Sequence, residues 1–567
     1  MPQLSHRHLR LLVVCLCAGV CNSSLTPAYA ASAYAISPVR PSLPAVPAVA
    51  EADAVRLLEQ ATFGPTDASV ARVQSLGIEG WLQEQFFASP SSYPNLTPFP
   101  GNSAVGCPAG SAPNCFRDNY TMHPLQVRFF QNALTGADQL RQRVAFALSQ
   151  IFVVSGAQIQ QPSSMAPFQN ILLNNALGNF RQLLYEVTLS PAMGDYLDMV
   201  NNDKPNPATG VEPNENYARE ILQLFTIGTI VLNQDGTPQL DAFGQPIPSY
   251  DQDIIEAFAH AFTGWTYAPL AGATPRPHNP ANYQQPMILY RDSRNLDVNH
   301  DKSAKKVLSY PKVALPTLPA DQTGDVDLNR ALDNIFYHPN VGPFIGKQLI
   351  QHLVTSNPSS GYVSRVAAVF NNNGVNVRGD LRAVVKAILL DPEARDSAKG
   401  EGNYGHLREP VLFVTNLLRA FTPTSDYVLA NQAAAMGQNL FNAPSVFNYF
   451  PPDYVVPGTP ILGPEMALQS SAAALSRANF VNTIVFGRIG TAPEGTQIDL
   501  TGLQALAGNP AALVDKLNRL LLHGTMSAAM QTELLKAINS VASNNPKLRA
   551  QTALYLVAAS SQYQVER

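Results

Sequence analysis

Charged residues are scarce in this chain of 567 residues. Asp, Glu, Lys and Arg together make up 14% of it, against about 25% in a typical soluble domain. The formal net charge is −4, and Lys and Arg form no basic stripe along the sequence. We therefore expect no nucleic-acid partner. Low charge combined with 46% apolar residues is typical of a large chain that buries much of its surface.

Long apolar runs and the motifs of several enzyme classes are also missing. No apolar run beyond the first thirty residues is long enough to span a bilayer, so we expect no transmembrane anchor. The sequence contains no GxSxG segment and no glycine-rich phosphate loop after a strand. These absences argue against serine-nucleophile and nucleotide-dependent enzymes.

The N-terminus has the three parts of a secretory signal peptide. A basic start, a short apolar stretch and a small-x-small cleavage site follow one another: Arg7, His8 and Arg10, then Leu11 to Val20, then Ala28-Tyr29-Ala30. Residues 1–30 are therefore predicted to be removed. Residues 31–50, rich in Ala and Pro, are predicted to form an extended leader, and 51–567 a single helical domain. The mature protein is expected to be periplasmic or secreted.

Only two cysteines lie outside the predicted signal peptide, Cys107 and Cys115. They bracket the loop CPAGSAPNC, and an even pair in an oxidising compartment favours a disulfide. A redox or metal pair is less favoured, because the spacing is not CxxC.

Apolar residues at helical spacing recur through most of the chain, which predicts a mainly α fold. The 46 prolines predict long proline-rich loops between the helices. One minor β-hairpin is expected near 229–250, where Thr229 to Leu232 would pair with Pro246 to Tyr250 and NQDG offers turn residues. No repeat of fixed period is present.

The segment Pro213 to Gly228, PNENYARE followed by ILQLFTIG, organises the functional interpretation. Asn214 is a plausible helix cap, and Gly228 a plausible terminator. A helical projection places the polar residues on one arc: Glu215, Asn216, Arg219, Glu220, Gln223 and Thr226. This arc is interpreted either as the wall of a cleft or as a solvated face with a Glu215–Arg219 pair.

Two further groups of polar residues follow. Asp253, Glu256 and His260 share an arc of the next predicted helix, where they could bind a metal, hold an acid–base pair or simply face solvent. The long irregular stretch after it carries His300 and Asp301, with Lys305 close behind. Long irregular stretches inside domains are often functional, but neighbouring side chains rarely point at one target, so adjacency does not establish a His–Asp pair.

Several segments together resemble a bacterial exported family catalogued as domain of unknown function eighteen hundred. They are ATFGPT, DQLRQRVAFALSQ, PNENYARE, FTGW, HD followed by Lys305, HPNVGPFIGKQLIQHLV, RAVVKAILLDPEAR, LREPV and VFNYF. The resemblance covers residues from about 51 to the end and implies a mainly helical exported protein, without implying an activity. Members of the family are often encoded beside a second exported family that resembles sulfatases, so a second exported protein is a candidate partner.

The resemblance also implies which positions match the family's motifs. They are Asn214, Glu215, Asn216, Tyr217, Arg219, Glu220, Asp253, Trp265, His300, Asp301 and Lys305. His260 departs from the family pattern, which more usually has arginine there, and this weakens the metal interpretation of its arc.

The first functional hypothesis is an extracytoplasmic hydrolase acting on a polysaccharide or cell-envelope polymer. Glycoside hydrolysis requires two carboxyl groups about 5–10 Å apart. Glu215 or Glu220 would act as the acid, Asp301 or Asp253 as the base, and His300 would orient or share the proton. The candidate catalytic residues are Glu215, Arg219, Glu220, His300 and Asp301. The candidate substrate-binding residues are Asn214, Asn216, Tyr217, Trp265 and Lys305.

Two alternatives stay open. One is a non-catalytic envelope binding or assembly protein, in which Glu215, Arg219 and Glu220 are structural. The other is a metal-dependent hydrolase that uses His300, Asp301 and Asp253. No cofactor is predicted in the first two cases, and a divalent metal is the cofactor in the third.

Overall fold

Amphipathic helices build most of the protein, as the apolar periodicity predicts. The computed structural model describes residues 49–311, 313, 316–395 and 402–567, and about 50% of it is helical. The predicted signal peptide and residues 31–48 of the predicted leader lie outside the described residues. The described residues form one unit. Their helix content confirms the mainly α fold.

The first part of the fold consists of nine helices within the described ranges. They are α1 (Glu51–Ala61), α2 (Asp67–Phe86), α3 (Ser103–Gly106), α4 (Cys115–Tyr120), α5 (His123–Thr135), α6 (Gln139–Ile151), α7 (Pro162–Asn175), α8 (Phe180–Thr188) and α9 (Pro191–Tyr196). Cys107 and Cys115 form the predicted disulfide, which joins the end of α3 to the start of α4. The disulfide therefore stabilises a surface loop.

The middle part mixes helices with short strands. Its elements are α10 (Asn216–Gln223), α11 (Gln252–Ala261), β1 (Trp265–Thr266), β2 (Ile288–Leu289), β3 (Lys305–Lys306), β4 (Thr317–Leu318), α12 (Gly324–Phe336), α13 (Val341–Leu353), α14 (Ser360–Asn371), α15 (Leu381–Leu390) and α16 (Pro392–Arg395). Strand β1 pairs with β2 and β3 pairs with β4, both antiparallel. The sequence patterns did not predict these strands, because two residues are too few to show alternation.

The last part is helical again. Its elements are β5 (His406–Leu407), α17 (Pro410–Ala420), α18 (Ala430–Ala435), a 3-10 helix (Pro464–Leu468), α19 (Ser471–Phe486), α20 (Thr501–Leu506), α21 (Pro510–Leu522), α22 (Ala528–Ser540), α23 (Pro546–Ala558), α24 (Ser561–Gln564) and β6 (Val565–Glu566). Strands β5 and β6 pair antiparallel. The buried faces of the helices contribute to one continuous apolar core.

The predicted hairpin near 229–250 is present as paired arms rather than as regular strands. Val231 N donates to Ile247 O, and Ser249 N donates to Thr229 O, so the two predicted arms do pair. Isolated bridges to Pro238, Pro246 and Pro248 add a third arm between them. Proline has no N–H to donate, so these prolines keep the arms from forming a continuous ladder.

A buried network of charges joins the beginning of the described unit to its end. Arg408 lies between Glu59 of α1 and Glu566 of β6, and all three side chains are almost completely buried. His406 of β5 lies between Glu465 and Glu566. Burial disfavours the charged form of His406, but its hydrogen bond to Glu465 and the nearby carboxylate of Glu566 raise the pKa of His406 to about 10. The same contacts lower the pKa of Glu566 to about 2 despite its burial.

In the described part of the chain, no helix is both long enough and apolar enough to cross a membrane.

Candidate functional site

Helix α10 is shorter than the sequence predicts. It begins at Asn216 with Glu215 in the cap position, and it ends at Gln223 rather than near Gly228. The Asn214 side chain still acts at the start of the helix, since its Oδ1 accepts a hydrogen bond from Asn216 N at 2.8 Å. Gly228 has a φ of 70°, the left-handed conformation predicted for it. The segment between Gln223 and Gly228 leaves the α-helix because its amide groups bond to more distant carbonyls, such as Gly228 N to Leu222 O.

Glu215 takes part in a surface ion pair. Its Oε2 accepts from Arg219 Nη2 at 2.7 Å and from Gln252 Nε2 of α11 at 2.8 Å. The Arg219 side chain is 40% exposed, so this part of the polar arc faces solvent. The geometry is that of the i,i+4 pair considered as an alternative to a cleft wall.

Glu220 has a different environment from Glu215. It is 6% exposed, and its Oε2 has no hydrogen-bond partner among the described residues. Burial raises the pKa of Glu220, and nearby Arg219 only partly offsets this. Tyr250 shares the environment: burial and the charge of Glu220 raise the pKa of its hydroxyl to about 12. Glu220 and Glu215 therefore do not form a matched pair of carboxylates in one cleft.

Three of the predicted substrate-binding residues on and near α10 are buried or hydrogen-bonded to other residues of the protein. The Tyr217 hydroxyl is buried and donates to Thr188 Oγ1 at 2.7 Å. Trp265 is buried in strand β1 with 3% of its surface exposed. The Asn216 side chain donates to Asp198 Oδ2 at 3.2 Å. Tyr217 and Trp265 thus contribute to the core rather than to an open surface.

His260 and Asp301 form the hydrogen bond that the sequence did not predict. His260 Nδ1 lies 2.7 Å from Asp301 Oδ2, and the His260 side chain is 25% exposed while that of Asp301 is 9% exposed. Burial opposes ionisation of Asp301, but hydrogen bonds from His260 and Ser303 and the charge of Lys305 hold its pKa well below its usual range. Because Asp301 is an acceptor, His260 Nδ1 carries the hydrogen, and neutral His260 has its lone pair on Nε2.

The carboxylate of Asp301 belongs to a buried polar cluster with Lys305 and Asp327. Lys305 Nζ donates to Asp301 O at 2.7 Å, Ser303 O at 2.8 Å and Asp327 Oδ2 at 2.8 Å. All three protons of the ammonium group are used, so Lys305 fixes the backbone of the loop. This role differs from the substrate binding predicted for Lys305.

His300 is enclosed on both sides of its ring. Its Nδ1 lies 3.1 Å from Thr263 O, and its Nε2 lies 3.2 Å from Asp327 Oδ2. His300 is 1% exposed. With both ring nitrogens in contact with protein oxygens, His300 positions the loop and is enclosed away from external molecules. Of the two histidines, only His260 has a ring that reaches solvent.

The turn after α11 brings these residues together. Thr263 Oγ1 donates to His260 O and accepts from Asp301 N at 2.9 Å. Gly264 has a φ of 89°, and a Cβ there would lie 3.0 Å from His300 N. Only glycine combines this backbone conformation with such close approach. The TGW segment therefore docks the His300-Asp301 segment against the C-terminal end of α11.

Glu215 and Asp301 contact opposite ends of the same helix. Glu215 bonds to Gln252, and Asp301 bonds to His260. These two positions are eight residues apart, or about 12 Å along an α-helix. The polar arc of α10 and the His260–Asp301 pair are therefore linked by α11 without sharing one hydrogen-bonded centre.

The arc of Asp253, Glu256 and His260 does not close into a metal centre. Asp253 and Glu256 are exposed, and Glu256 accepts a hydrogen bond from Gln252 Nε2 at 3.3 Å. No group of three or more His, Cys, Asp or Glu side chains that could hold a metal ion occurs among the residues that the structure describes.

Asp327 is the functional-site residue that sequence reasoning missed. It lies in the first turn of α12, where an acidic residue is usual because it favours the helix dipole. That position gives no hint that its side chain is fully buried against His300 and Lys305. The helical spacing of His260 could be recognised in the sequence. Its pairing with Asp301 could not, because Asp301 lies in a loop 41 residues later.

Comparison with known proteins identifies the family of the chain and no individual relative. A family model described as "Protein of unknown function (DUF1800)" matches residues 56–565. The family inferred from the motifs is thereby confirmed. No curated protein and no solved structure matches the chain.

Proposed function

We propose that this chain, which belongs to the DUF1800 family, is an extracytoplasmic hydrolase that uses His260 as its general base. Its substrate is a polysaccharide or another polymer of the cell envelope. The family description assigns no activity, so the proposal depends on the side chains. One observation supports it above all: a partly exposed imidazole is held at 2.7 Å by a buried carboxylate.

The arrangement suits the activation of water. Asp301 holds the hydrogen on Nδ1, so the lone pair of Nε2 can accept a proton from a water molecule. The low pKa of Asp301 keeps its charge at neutral pH, and this charge stabilises the imidazolium that forms. Lys305, Asp327 and His300 keep Asp301 in place, which limits the reorganisation needed during the reaction.

The bond attacked is proposed to be an acyl bond carried by the polymer. Glycoside hydrolysis needs two carboxyl groups in one cleft, whereas Glu215 is paired with Arg219 and Glu220 is buried beside Tyr250. In acyl hydrolysis, water gives a proton to His260 Nε2 and its oxygen bonds to the carbonyl carbon. The tetrahedral intermediate then expels the alcohol oxygen, which takes the proton back from His260. The products are a carboxylic acid and a free hydroxyl group of the polymer.

The test is an assay of the purified chain on a panel of acylated and unmodified glycans. Wild type is expected to release acid from an acylated polymer, and His260→Gln is expected to lose about 10²–10⁴-fold in rate. Glu215→Gln is the matched control, because Glu215 contacts the opposite end of α11, and it should retain the rate. No release by wild type, or equal rates for wild type and His260→Gln, would exclude this mechanism.

A non-catalytic envelope binding or assembly protein is the second candidate. The observation that favours it is the Glu215–Arg219 pair, which is structural as that hypothesis requires. Retention of a co-purified exported protein by both wild type and His260→Gln would support it. The metal-dependent hydrolase remains a third proposal, which metal analysis of chelator-washed protein tests directly.

A further inference from the structure

A narrow cleft lies between α13 and the aromatic loop Phe447–Pro452, and we call it the aromatic cleft. It has a volume of about 70 Å³ and shares no residue with the His260–Asp301 pair. Gln348, Gln351 and His352 line it from the helix, and Phe447 lines it from the loop. The loop is rich in aromatic residues, and the proposed hydrolysis leaves it without a role.

Two buried amide groups in the cleft wall have unused hydrogen-bonding capacity. Gln351 is 3% exposed, and its Nε2 donates to Ser356 O at 3.1 Å and to Pro452 O at 2.9 Å. These bonds fix the amide and leave Gln351 Oε1 without a partner from any described residue. Gln348 is 8% exposed, and its Nε2 likewise has no partner within the described ranges. Buried polar groups are nearly always paired, so this free acceptor and this free donor can each form a hydrogen bond with a molecule that enters the cleft.

The cleft offers these groups beside a neutral imidazole and a carboxylate that is already paired. Burial and the nearby charges of Arg143 and His406 lower the pKa of His352 to about 3, so His352 is neutral at physiological pH. Glu465 also lines the cleft, but its oxygens already accept from His406 Nδ1 and Ser356 Oγ. A ligand therefore meets amides, a neutral imidazole and a carboxylate whose charge is paired with His406. This favours a neutral ligand that both donates and accepts hydrogen bonds, which describes a hydroxyl group.

The loop side of the cleft is held in a fixed position. Asn448 has a φ of 65°, and its Nδ2 donates to Gln150 Oε1 at 3.1 Å. Gln150 Nε2 in turn donates to the buried Glu409 at 3.2 Å. This chain of bonds anchors the loop on α6, while Phe447 next to Asn448 stays 55% exposed. An exposed ring on an anchored loop provides an apolar face at the mouth of the cleft.

The small volume limits how much of a ligand can enter. About 70 Å³ corresponds to roughly two water molecules at the volume of the liquid. One edge of a sugar ring, with one or two hydroxyl groups, fits this space, and the remainder must stay outside. The C–H face of the ring then lies within reach of Phe447.

From these observations we propose that the aromatic cleft binds the end of a neutral glycan. The Gln348 amide donates to a sugar hydroxyl oxygen, Gln351 Oε1 accepts from a hydroxyl hydrogen, and Phe447 packs against the ring face. The site is separate from the proposed hydrolysis and does not depend on His260.

The experiment is calorimetric titration of the full chain with three sets of ligands. The sets are neutral oligosaccharides, neutral monosaccharides and oligosaccharides of uronic acids. Wild type is expected to bind at least one neutral oligosaccharide. Gln348→Met removes an amide that no described residue bonds, so the fold is kept while the affinity falls about 3- to 10-fold. Phe447→Ala should weaken binding to a similar degree. Phe243→Ala removes a ring that is also exposed, on the 229–250 arms outside the cleft, and is the matched control.

The outcomes separate this site from the proposed active site. His260→Gln should bind as wild type does, even where hydrolysis is lost. Binding of the monosaccharide as tightly as the oligosaccharide would identify the terminal sugar alone as the ligand and support the proposal. Failure of wild type to bind any neutral sugar would overturn it, as would a preference for uronic-acid chains or wild-type affinity in Gln348→Met and Phe447→Ala.

Discussion

His260 and Asp301 are 41 residues apart in the sequence, and their side chains are joined by a hydrogen bond of 2.7 Å. The bond exists because the backbone reverses after α11 and returns along the end of the same helix. Its geometry makes His260 the exposed member of the pair and Asp301 the buried member. This division of roles has consequences for stability as well as for the proposed chemistry.

The ionised form of Asp301 should stabilise the fold. Its pKa is lower in the folded protein than in the unfolded chain, so its contribution is present above the usual pKa of an aspartate and is lost as the pH falls through the folded value. Asp301→Asn is therefore expected to reduce the free energy of unfolding by about 1–3 kcal/mol at pH 7. Denaturant unfolding at several pH values measures this. The exposed Asp241→Asn serves as control, and an equal loss in both variants would contradict the interpretation.

Gly264→Ala should disrupt the turn that docks His300 against α11. The new Cβ would meet the His300 backbone at 3.0–3.1 Å, and the residue would keep a φ of 89°. A loss of about 1–3 kcal/mol is expected from backbone strain, with a further loss from the displaced loop. Gly272→Ala has a similar φ of 79° but open space around the added carbon, so it isolates the backbone effect. Thermal unfolding of the two variants should differ, and equal melting temperatures would show that the close approach is not limiting.

Glu220→Gln should stabilise the protein or leave its stability unchanged. Burial raises the pKa of Glu220, so ionisation of this carboxyl becomes unfavourable to folding as the pH rises above the usual value. Glutamine removes that penalty, and the gain should be larger at pH 8 than at pH 4. Glu215→Gln is the control, because it removes a surface pair worth about 0.3–0.5 kcal/mol. A large loss of stability in Glu220→Gln would reveal a partner that the structure does not show.

Glu566→Gln should be strongly destabilising. The carboxylate is buried beside His406 and Arg408, and removing one partner of a buried ion pair costs about 3–5 kcal/mol. The raised pKa of His406 contributes stability that is complete below about pH 6.5 and is lost as the pH rises towards 10. The lowered pKa of Glu566 contributes stability that is complete above about pH 4.5 and is lost as the pH falls towards 2. Unfolding of wild type should therefore require most denaturant between about pH 4.5 and 6.5, and this maximum should flatten in the variant.

The helices could be predicted from the sequence because their signals are local. Apolar spacing and caps indicate α11 (Gln252–Ala261), whose cap Asp251 accepts from Ile254 N as such residues do. The disulfide was also predictable, since Cys107 and Cys115 are the only cysteines after residue 30. The end of α10 was predicted wrongly, because Gly228 has the conformation of a terminator without following the last helical residue.

The site was only partly predictable because its contacts are not local. Asp301 and Lys305 were singled out by motif, but their neighbours depend on a turn at Gly264 and on the burial of Asp327 in α12. Sequence periodicity cannot indicate that Asp301, in a loop, bonds to His260 of a helix 41 positions earlier. The same reason explains why Gln348 and Gln351 were not recognised: amides at helical spacing look alike whether they face solvent or a cleft.

The pairing of β6 with β5 determines when the buried charge network can form. Glu59 and Arg408 leave the ribosome well before Glu566, so the nascent polypeptide holds Arg408 and His406 without one of their counter-charges. Burying these two side chains before Glu566 arrives leaves each with one fewer carboxylate beside it, and taking one partner from a buried ion pair is unfavourable. The core around Arg408 and His406 is therefore complete only once β6 has paired with β5.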